Sequence, residues 1–198
     1  MTTRVSMEEL IKDVRIALDE NADQSSYIQS NADNLELDDI IRAKLPEAAR
    51  DVTESADVEM LEPETMATEL TATEGGGKLS VPDDFLRLVS LKMKEWNRSV
   101  TVVAGEGSDI ELMQRNRYTR GTAMKPVCVM AFDASGKKVL EFFGKGTSID
   151  WVLYMPIPAV ENGYLPISRL LRQAIVRRAA GLVLVSRGET ERAAAFLN

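Results

Sequence analysis

Apolar residues recur every three or four positions near both ends of this chain, whereas its middle reads as short alternating or β-branched runs. The first spacing is typical of helices with one buried face, and the second is typical of strands. Helices therefore flank a block of strands instead of alternating with them. This order predicts an α+β fold, in which an N-terminal helix pair and a long C-terminal helix form a helical bundle with an inserted, mostly antiparallel β-region.

Shifts in composition divide the chain into four predicted segments. Residues 1–77 carry 6 Lys and Arg against 19 Asp and Glu, a net of −13, whereas residues 78–198 carry 18 against 12, a net of +6. The segments are an N-terminal helical part at 1–56, an acidic flexible segment at 57–77, a β-region with a short helix at 78–160, and C-terminal helices at 161–198 that pack on the N-terminal helices. This polarity suits head-to-tail or layered association of unlike faces, and a solvated acidic region is the alternative interpretation.

Two N-terminal helices are predicted from apolar residues at helical spacing. The first covers 7–18, where Ser6 and Glu9 have the spacing of a capping box. The second covers 35–54. Pro46 should kink this second helix or split it in two, because proline removes one backbone hydrogen bond and clashes with the preceding turn.

The stretches that follow these helices are rich in polar residues or glycine. Residues 21–34 are expected to form a loop, and residues 58–61 a short strand. Three successive glycines at 75–77 predict a flexible turn, because glycine adopts backbone angles that other residues avoid.

The β-region is predicted from six short runs and one helical segment. The predicted strands lie at 78–82, 86–93, 100–103, 127–132, 138–143 and 149–155. The second strand changes its apolar face along its length, which indicates a bulge. The last three strands are expected to form a meander, with a tight turn at 133–136 and a short helix at 108–117 before it.

A long C-terminal helix is predicted to begin at 165–166, because proline is tolerated in the first turn of a helix. Leu170 belongs to the apolar stripe that this helix should bury, and Gly188 should end the helix. A last short helix is expected at 189–196.

The chain contains no histidine and one cysteine. Histidine is the commonest general base and the commonest metal ligand, so its absence favours a protein that acts by binding other proteins. We therefore predict no enzymatic activity, no catalytic residue, no metal and no cofactor. Cys128, between valines, is expected to be a buried thiol in a strand. No apolar run of about 18 residues occurs, so no membrane contact is expected.

Two alternative functions remain open at this point. Adjacent carboxylates, Asp38 with Asp39 and Asp83 with Asp84, leave a carboxylate-dependent hydrolase or a metal-dependent enzyme as one alternative. Neighbouring residues on a helix point about 100° apart, so the first pair should not converge on one atom. A cytosolic protein-binding module is the other alternative.

The C-terminal part is basic because of six arginines, which are Arg169, Arg172, Arg177, Arg178, Arg187 and Arg192. Their positions scatter around the helix, so they form no stripe that would follow a phosphate backbone. They are either a solubilising face or an interface with an acidic surface, such as the acidic part of a neighbouring copy. The residues predicted for a partner interface are Arg169, Arg172, Arg177, Arg187, Arg192 and Phe196.

A series of short motifs follows in a fixed order between Leu79 and Ser186. These are Val81-Pro82-Asp83-Asp84-Phe85-Leu86-Arg87-Leu88, Trp96, Val100, Gly121, Pro126-Val127, Leu140-Glu141-Phe142, Leu153-Tyr154-Met155-Pro156, Ala174-Ile175 and Ala179-Ala180. In this order they resemble the head-to-tail adaptor proteins of tailed bacteriophages, of the head-completion or tail tubular type. Short-tailed and crAss-like phages are the candidate sources, and the acidic stretch at 57–77 departs from the family pattern.

The resemblance implies a virion structural protein. Adaptors of this family form a ring of twelve copies that joins the portal to the tail and lines the DNA passage, with no catalytic site. It implies four kinds of partner: other copies of the chain, the portal protein, a tail or next ring protein, and passing DNA contacted without sequence specificity. It also implies synthesis in the host cytoplasm and a final location at the portal vertex of the virion.

Overall fold

A computed structural model describes residues 3–18, 31–73 and 75–197, which form a mixed α+β fold. The predicted fold class is confirmed at this level. The helices are α1 (Met7–Ala17), α2 (Asn31–Ser55), α3 (Asp109–Gln114), α4 (Arg172–Ser186) and α5 (Thr190–Leu197). The strands are β1 (Thr3–Ser6), β2 (Glu64–Thr65), β3 (Leu70–Thr73), β4 (Gly76–Ser80), β5 (Phe85–Met93), β6 (Val103–Gly105), β7 (Val127–Phe132), β8 (Lys138–Phe143), β9 (Ile149–Pro156) and β10 (Tyr164–Ile167).

The chain divides into two compact units. One consists of Met1–Glu62 together with Ile157–Asn198, and the other of Pro63–Pro156. We call the first the helical unit, because it holds α1, α2, α4 and α5, and the second the β-unit. Both ends of the chain therefore contribute to the helical unit, and the middle of the chain forms the other.

Helix α4 is the central element of the helical unit and contacts α1, α2 and α5. It buries Ile175, Ala179 and Val183 completely. Leu10 of α1 and Leu45 of α2 are also completely buried. The small residues of α4 bring the neighbouring backbones close, and burial of these apolar side chains is the main stabilising contribution here.

The predicted start of the long C-terminal helix is wrong. Residues Tyr164–Ile167 form β10, which pairs antiparallel with β1, so that Thr3 lies opposite Ile167. The 3-10 helix Arg169–Leu171 follows, and α4 begins at Arg172. The β1 pairing also changes the start of α1: the Met7 N–H donates to the Gly163 carbonyl at 2.9 Å, and the Ser6 side chain makes no capping hydrogen bond.

Helix α2 begins earlier than predicted, at Asn31, so the expected loop at 21–34 is wrong in its last four residues. The remainder, 21–30, lies outside the described residues. Pro46 lies inside α2 and does not divide it. The expected strand at 58–61 is instead the 3-10 helix Val58–Met60.

The β-unit contains a five-stranded sheet in the order β3-β4-β8-β7-β6 and a three-stranded sheet in the order β2-β9-β5. Only the β6–β7 pair is parallel among the described strand pairs. The predicted meander is confirmed for β7 and β8, which pair antiparallel, but it is wrong for β9, which pairs with β5 and β2 and not with β8. The predicted bulge is confirmed, since the β5–β9 register shifts along the pair.

Apolar side chains from both sheets share one core in the β-unit. Leu79, Leu91 and Phe142 are completely buried there. The Trp96 ring packs edge-on against Phe142, with ring centroids 5.4 Å apart, and the Trp96 indole N–H donates to the Gly144 carbonyl at 3.2 Å. Tryptophan thus buries its ring while its polar atom keeps a partner.

The prediction that all three glycines at 75–77 lie in a turn is wrong. Gly76 and Gly77 belong to β4, opposite Phe143 and Phe142 of β8. A Cβ atom on Gly76 would lie 1.9 Å from the Phe142 carbonyl oxygen. Glycine is required here because the two backbones approach closely.

Candidate protein-interaction surface

Two of the six C-terminal arginines pair with acidic residues of the N-terminal helices. Arg172 donates from Nε and Nη2 to Asp13 Oδ2 of α1, at 2.9 and 2.7 Å. Arg178 donates in the same way to Asp51 Oδ2 of α2, at 3.1 and 2.7 Å. An arginine that donates two hydrogen bonds to one carboxylate is held in a defined orientation. The acidic partners of these two arginines thus belong to the same chain and to the same helical unit.

Two more of the arginines lie where α4 joins α5. Arg187 Nε lies 3.5 Å from Glu189 Oε1, and Arg192 pairs with the same carboxylate. Arg192 Nη2 also donates to the Leu18 carbonyl at 3.4 Å. The Arg192–Leu18 hydrogen bond therefore connects the C-terminal end of α1 to the α4–α5 junction.

Arg177 and Phe196 line a groove of about 1010 Å³ in the helical unit. The groove lies between the C-terminal end of α2, the first turns of α4 and the end of α5. Arg177 is anchored on its wall, because its Nη2 donates to the Ala195 carbonyl of α5 at 3.5 Å. The Arg178–Asp51 ion pair also lines the groove.

The groove presents apolar side chains to solvent. Leu170 is 71% exposed and Met60 is 43% exposed, although both are large and apolar. Leu170 lies in the 3-10 helix Arg169–Leu171, which the buried Ser168 caps: its Oγ accepts a hydrogen bond from the Leu170 N–H at 3.3 Å. Clustered exposed apolar side chains with a polar rim are typical of protein-interaction surfaces.

Arg169 precedes Leu170 and is exposed. Its backbone N–H donates to Glu62 Oε1 at 3.4 Å. In the described part of the chain its guanidinium forms no ion pair within 4.0 Å, so its charge is available at the surface.

Two of the predicted interface residues, Arg172 and Arg177, also line a second pocket beside α1. Arg177 and Phe196 line the groove, Arg172 faces α1, and Arg187 and Arg192 lie at the α4–α5 junction. Sequence reasoning missed Met60 and Leu170. Leu170 was expected inside the apolar stripe of a helix, and its helical spacing gave no sign that a 3-10 turn would expose it.

One carboxylate of each adjacent pair accepts a hydrogen bond from another side chain. Asp38 accepts a hydrogen bond from Arg15 at 2.9 Å, and Asp84 accepts one from the Tyr154 hydroxyl at 3.3 Å. Burial raises the pKa of the Cys128 thiol to about 12. Among the described residues, no group of three or more His, Cys, Asp or Glu side chains could hold a metal ion.

Comparisons with protein-family models and with curated proteins find no match to this chain. No helix in the described ranges is both long enough and apolar enough to cross a membrane. The functional interpretation therefore rests on the motif order and on the geometry of the groove.

Proposed function

We propose that this protein is a virion structural protein, a head-to-tail adaptor whose copies form a ring between the portal and the tail and line the DNA passage. In this proposal the ring holds twelve copies, contacts DNA without sequence specificity and performs no catalysis. It acts at the portal vertex after synthesis in the host cytoplasm. The order of adaptor-like motifs from Leu79 to Ser186 supports this proposal.

The proposal includes the finer architecture of the helical unit. We infer that α1, α2 and α5 pack around α4 as a helical bundle. The β-unit is inserted in the chain of this bundle, between α2 and α4. Support comes from the contacts of α4 with the other three helices and from its buried small residues, Ala179, Ala180 and Gly181. A rigid helical body is a suitable platform for a docking surface.

The observation that carries the proposal is the groove beside Leu170, Met60 and Arg177. An amphipathic segment of another protein could bury its apolar residues against Leu170 and Met60, and an acidic residue of that segment could pair with Arg177. We assign this groove to contact with the portal protein. An apolar centre with a charged rim is the usual composition of such an interface.

The experiment is a binding assay between the purified protein and portal rings of the same virus. Leu170→Asp places a charge in the groove and should weaken binding at least tenfold, about 1.4 kcal/mol. Val160→Asp, at a residue 44% exposed and outside the groove, is the matched control and should bind as the wild type does. Because both side chains are exposed, circular dichroism should show an unchanged fold for both variants.

Two results would overturn the proposal. One is a wild-type protein that does not bind portal rings shown to be competent with another component. The other is a cryo-electron microscopy map of the virion in which every density at the portal vertex belongs to other chains. A ring of this chain between portal and tail would establish both function and symmetry.

A further inference from the structure

The β-unit has equal numbers of basic and acidic side chains, but some of the exposed ones gather at opposite ends of the unit. Residues 63–156 carry 12 basic and 12 acidic side chains, so their net charge is zero. Strand register defines two ends of this unit. At one end β5 finishes at Met93, β8 finishes at Phe143 and β7 begins at Val127, since Met93 lies opposite Ile149 and Val127 lies opposite Phe143.

Three loops meet at this first end. The Asn97 N–H donates to the Ala123 carbonyl at 3.1 Å, and the Lys94 N–H donates to the Ser148 carbonyl at 2.9 Å. The indole of Trp96, as described above, ties the first loop to the third through the Gly144 carbonyl. Residues far apart in sequence are therefore held together by backbone hydrogen bonds.

These loops carry an exposed group of cations, which we call the cationic end: Lys94, Arg98, Lys125 and Lys145. Within the described chain, none of the four has an acidic partner within 4.0 Å. The one acidic residue that the described loops contain, Glu95, accepts hydrogen bonds from Thr147 at 3.0 and 2.5 Å. Met124 precedes Lys125 and is 64% exposed.

The opposite end of the β-unit is acidic. Ser80 lies opposite Val139, Phe132 lies opposite Lys138, and Gly105 lies opposite Met130. The turn after β4, the hairpin after β7 and the loop after β6 consequently leave the sheet on the same side.

We call the carboxylates at this second end the anionic end: Asp83, Asp84, Glu106 and Asp109, all exposed. The hairpin at this end adds Lys137, Lys138 and Asp133. The carboxylates still outnumber the two lysines, so the two ends of the β-unit carry opposite net charges.

We propose that the cationic end of one β-unit docks on the anionic end of the β-unit of a second copy of this chain. The proposal rests on the proposed ring and assigns the surfaces that join neighbouring copies. Two different surfaces that complement each other give a head-to-tail contact, and repetition of such a contact closes a ring when the rotation allows it. Opposite charges also orient the approaching copies.

A second copy fits these surfaces better than nucleic acid does. The whole chain has a net charge of −7, and the anionic end repels phosphate locally, so a phosphate backbone is disfavoured as the partner. Met124, exposed beside Lys125, offers an apolar contact that a phosphate backbone does not use. The complementary surface is present on the same molecule.

The test is a charge exchange measured by sedimentation velocity on the full chain, without portal protein. One variant, Lys125→Glu with Lys145→Glu, makes the cationic end acidic or neutral. The other variant, Asp83→Lys with Glu106→Lys, makes the anionic end basic or neutral. Lys12→Glu with Arg50→Glu, at exposed residues of the helical unit, changes the net charge as much as the first variant and is its matched control.

We expect the wild type and the control to self-associate, more weakly at 1 M salt because the charges are screened. Each charge-exchange variant alone should associate at least tenfold more weakly. Their mixture should regain association, because every contact then joins unlike charges. Circular dichroism and tryptophan fluorescence serve to show that all variants are folded.

Three results would overturn the inference: a wild type that stays monomeric, a mixture no more associated than its separate variants, or unchanged self-association with reduced retention on DNA. The last result would assign the cationic end to nucleic acid. Portal binding is measured separately. If the mixed variants regain self-association but the wild type does not bind portal rings, only the adaptor function is rejected.

Discussion

The Cys128 thiol lies in β7 and is 1% exposed. Burial raises its pKa to about 12, so at pH 8 it carries roughly three orders of magnitude less thiolate than a free cysteine. In the unfolded chain the thiol ionises at a lower pH than in the folded protein. The thiol therefore favours the folded state below about pH 9, and this contribution is lost as the pH rises toward 12.

We predict that a thiol reagent at pH 8 modifies Cys128 only after unfolding. The measurement is the rate of thiol modification by absorbance, with and without urea. The urea sample is the control for reagent activity. Rapid stoichiometric modification of the native protein would contradict the buried position.

Gly76 has no room for a side chain. We predict that Gly76→Ala lowers the free energy of unfolding by about 2–4 kcal/mol, because the new Cβ forces β4 away from β8. Gly105→Ala is the control, since no atom lies within 4 Å of a Cβ built there. Urea unfolding followed by tryptophan fluorescence measures both variants, and equal stability of the two would contradict the close approach.

At the scale of whole elements, the Arg172–Asp13 pair fixes α4 against α1. Its side chains are 37% and 33% exposed, so solvent screens the attraction. We predict a coupling of about 0.5–1 kcal/mol in a double-mutant cycle of Arg172→Ala and Asp13→Ala.

The free energies of unfolding in urea give this coupling, and it should shrink at 1 M salt. Arg172 also lies 3.6 Å from Glu9, so the cycle, and not the single variants, isolates the pair. Additive single effects would mean that the pair contributes nothing to the docking of α4.

Elements formed by local contacts are predicted well from the sequence. The β7–β8 turn forms as expected, because Asp133 Oδ1 accepts hydrogen bonds from the N–H groups of Ser135 at 2.8 Å and Lys137 at 2.9 Å. The Ser108 cap of α3 also forms, with the Glu111 N–H as donor at 3.3 Å. In both cases the determining residues lie within four positions of each other.

At the scale of the molecule, each unit has a hydrophobic core of its own. Both tryptophans, Trp96 and Trp151, lie in the β-unit, whereas most helical residues lie in the helical unit. Fluorescence and circular dichroism at 222 nm therefore report mainly on different units.

We predict that Leu45→Ala, in the helical core, shifts the circular dichroism transition in urea more than the fluorescence transition. Leu140→Ala, in the β-core, should do the reverse. Both residues are completely buried, and each truncation should cost about 2–5 kcal/mol. Equal shifts of both probes in both variants would contradict separate cores.

The sequence by itself determined the α+β class, the α1 and α3 segments, the β7–β8 hairpin and the burial of Cys128. It also placed Arg177 and Phe196 in one predicted interface, and both line the groove of the helical unit. These features depend on periodicity and on contacts between near neighbours, which a single sequence contains.

Only the tertiary structure decided which distant segments pair. It paired Thr3–Ser6 with Tyr164–Ile167, and it joined β9 to β5 and not to β8. It also exposed Leu170 in the groove and brought Lys94, Lys125 and Lys145 to one end of the β-unit. The physical reason is that pairing of distant strands and convergence of loops depend on contacts across the whole chain, which local propensity does not contain.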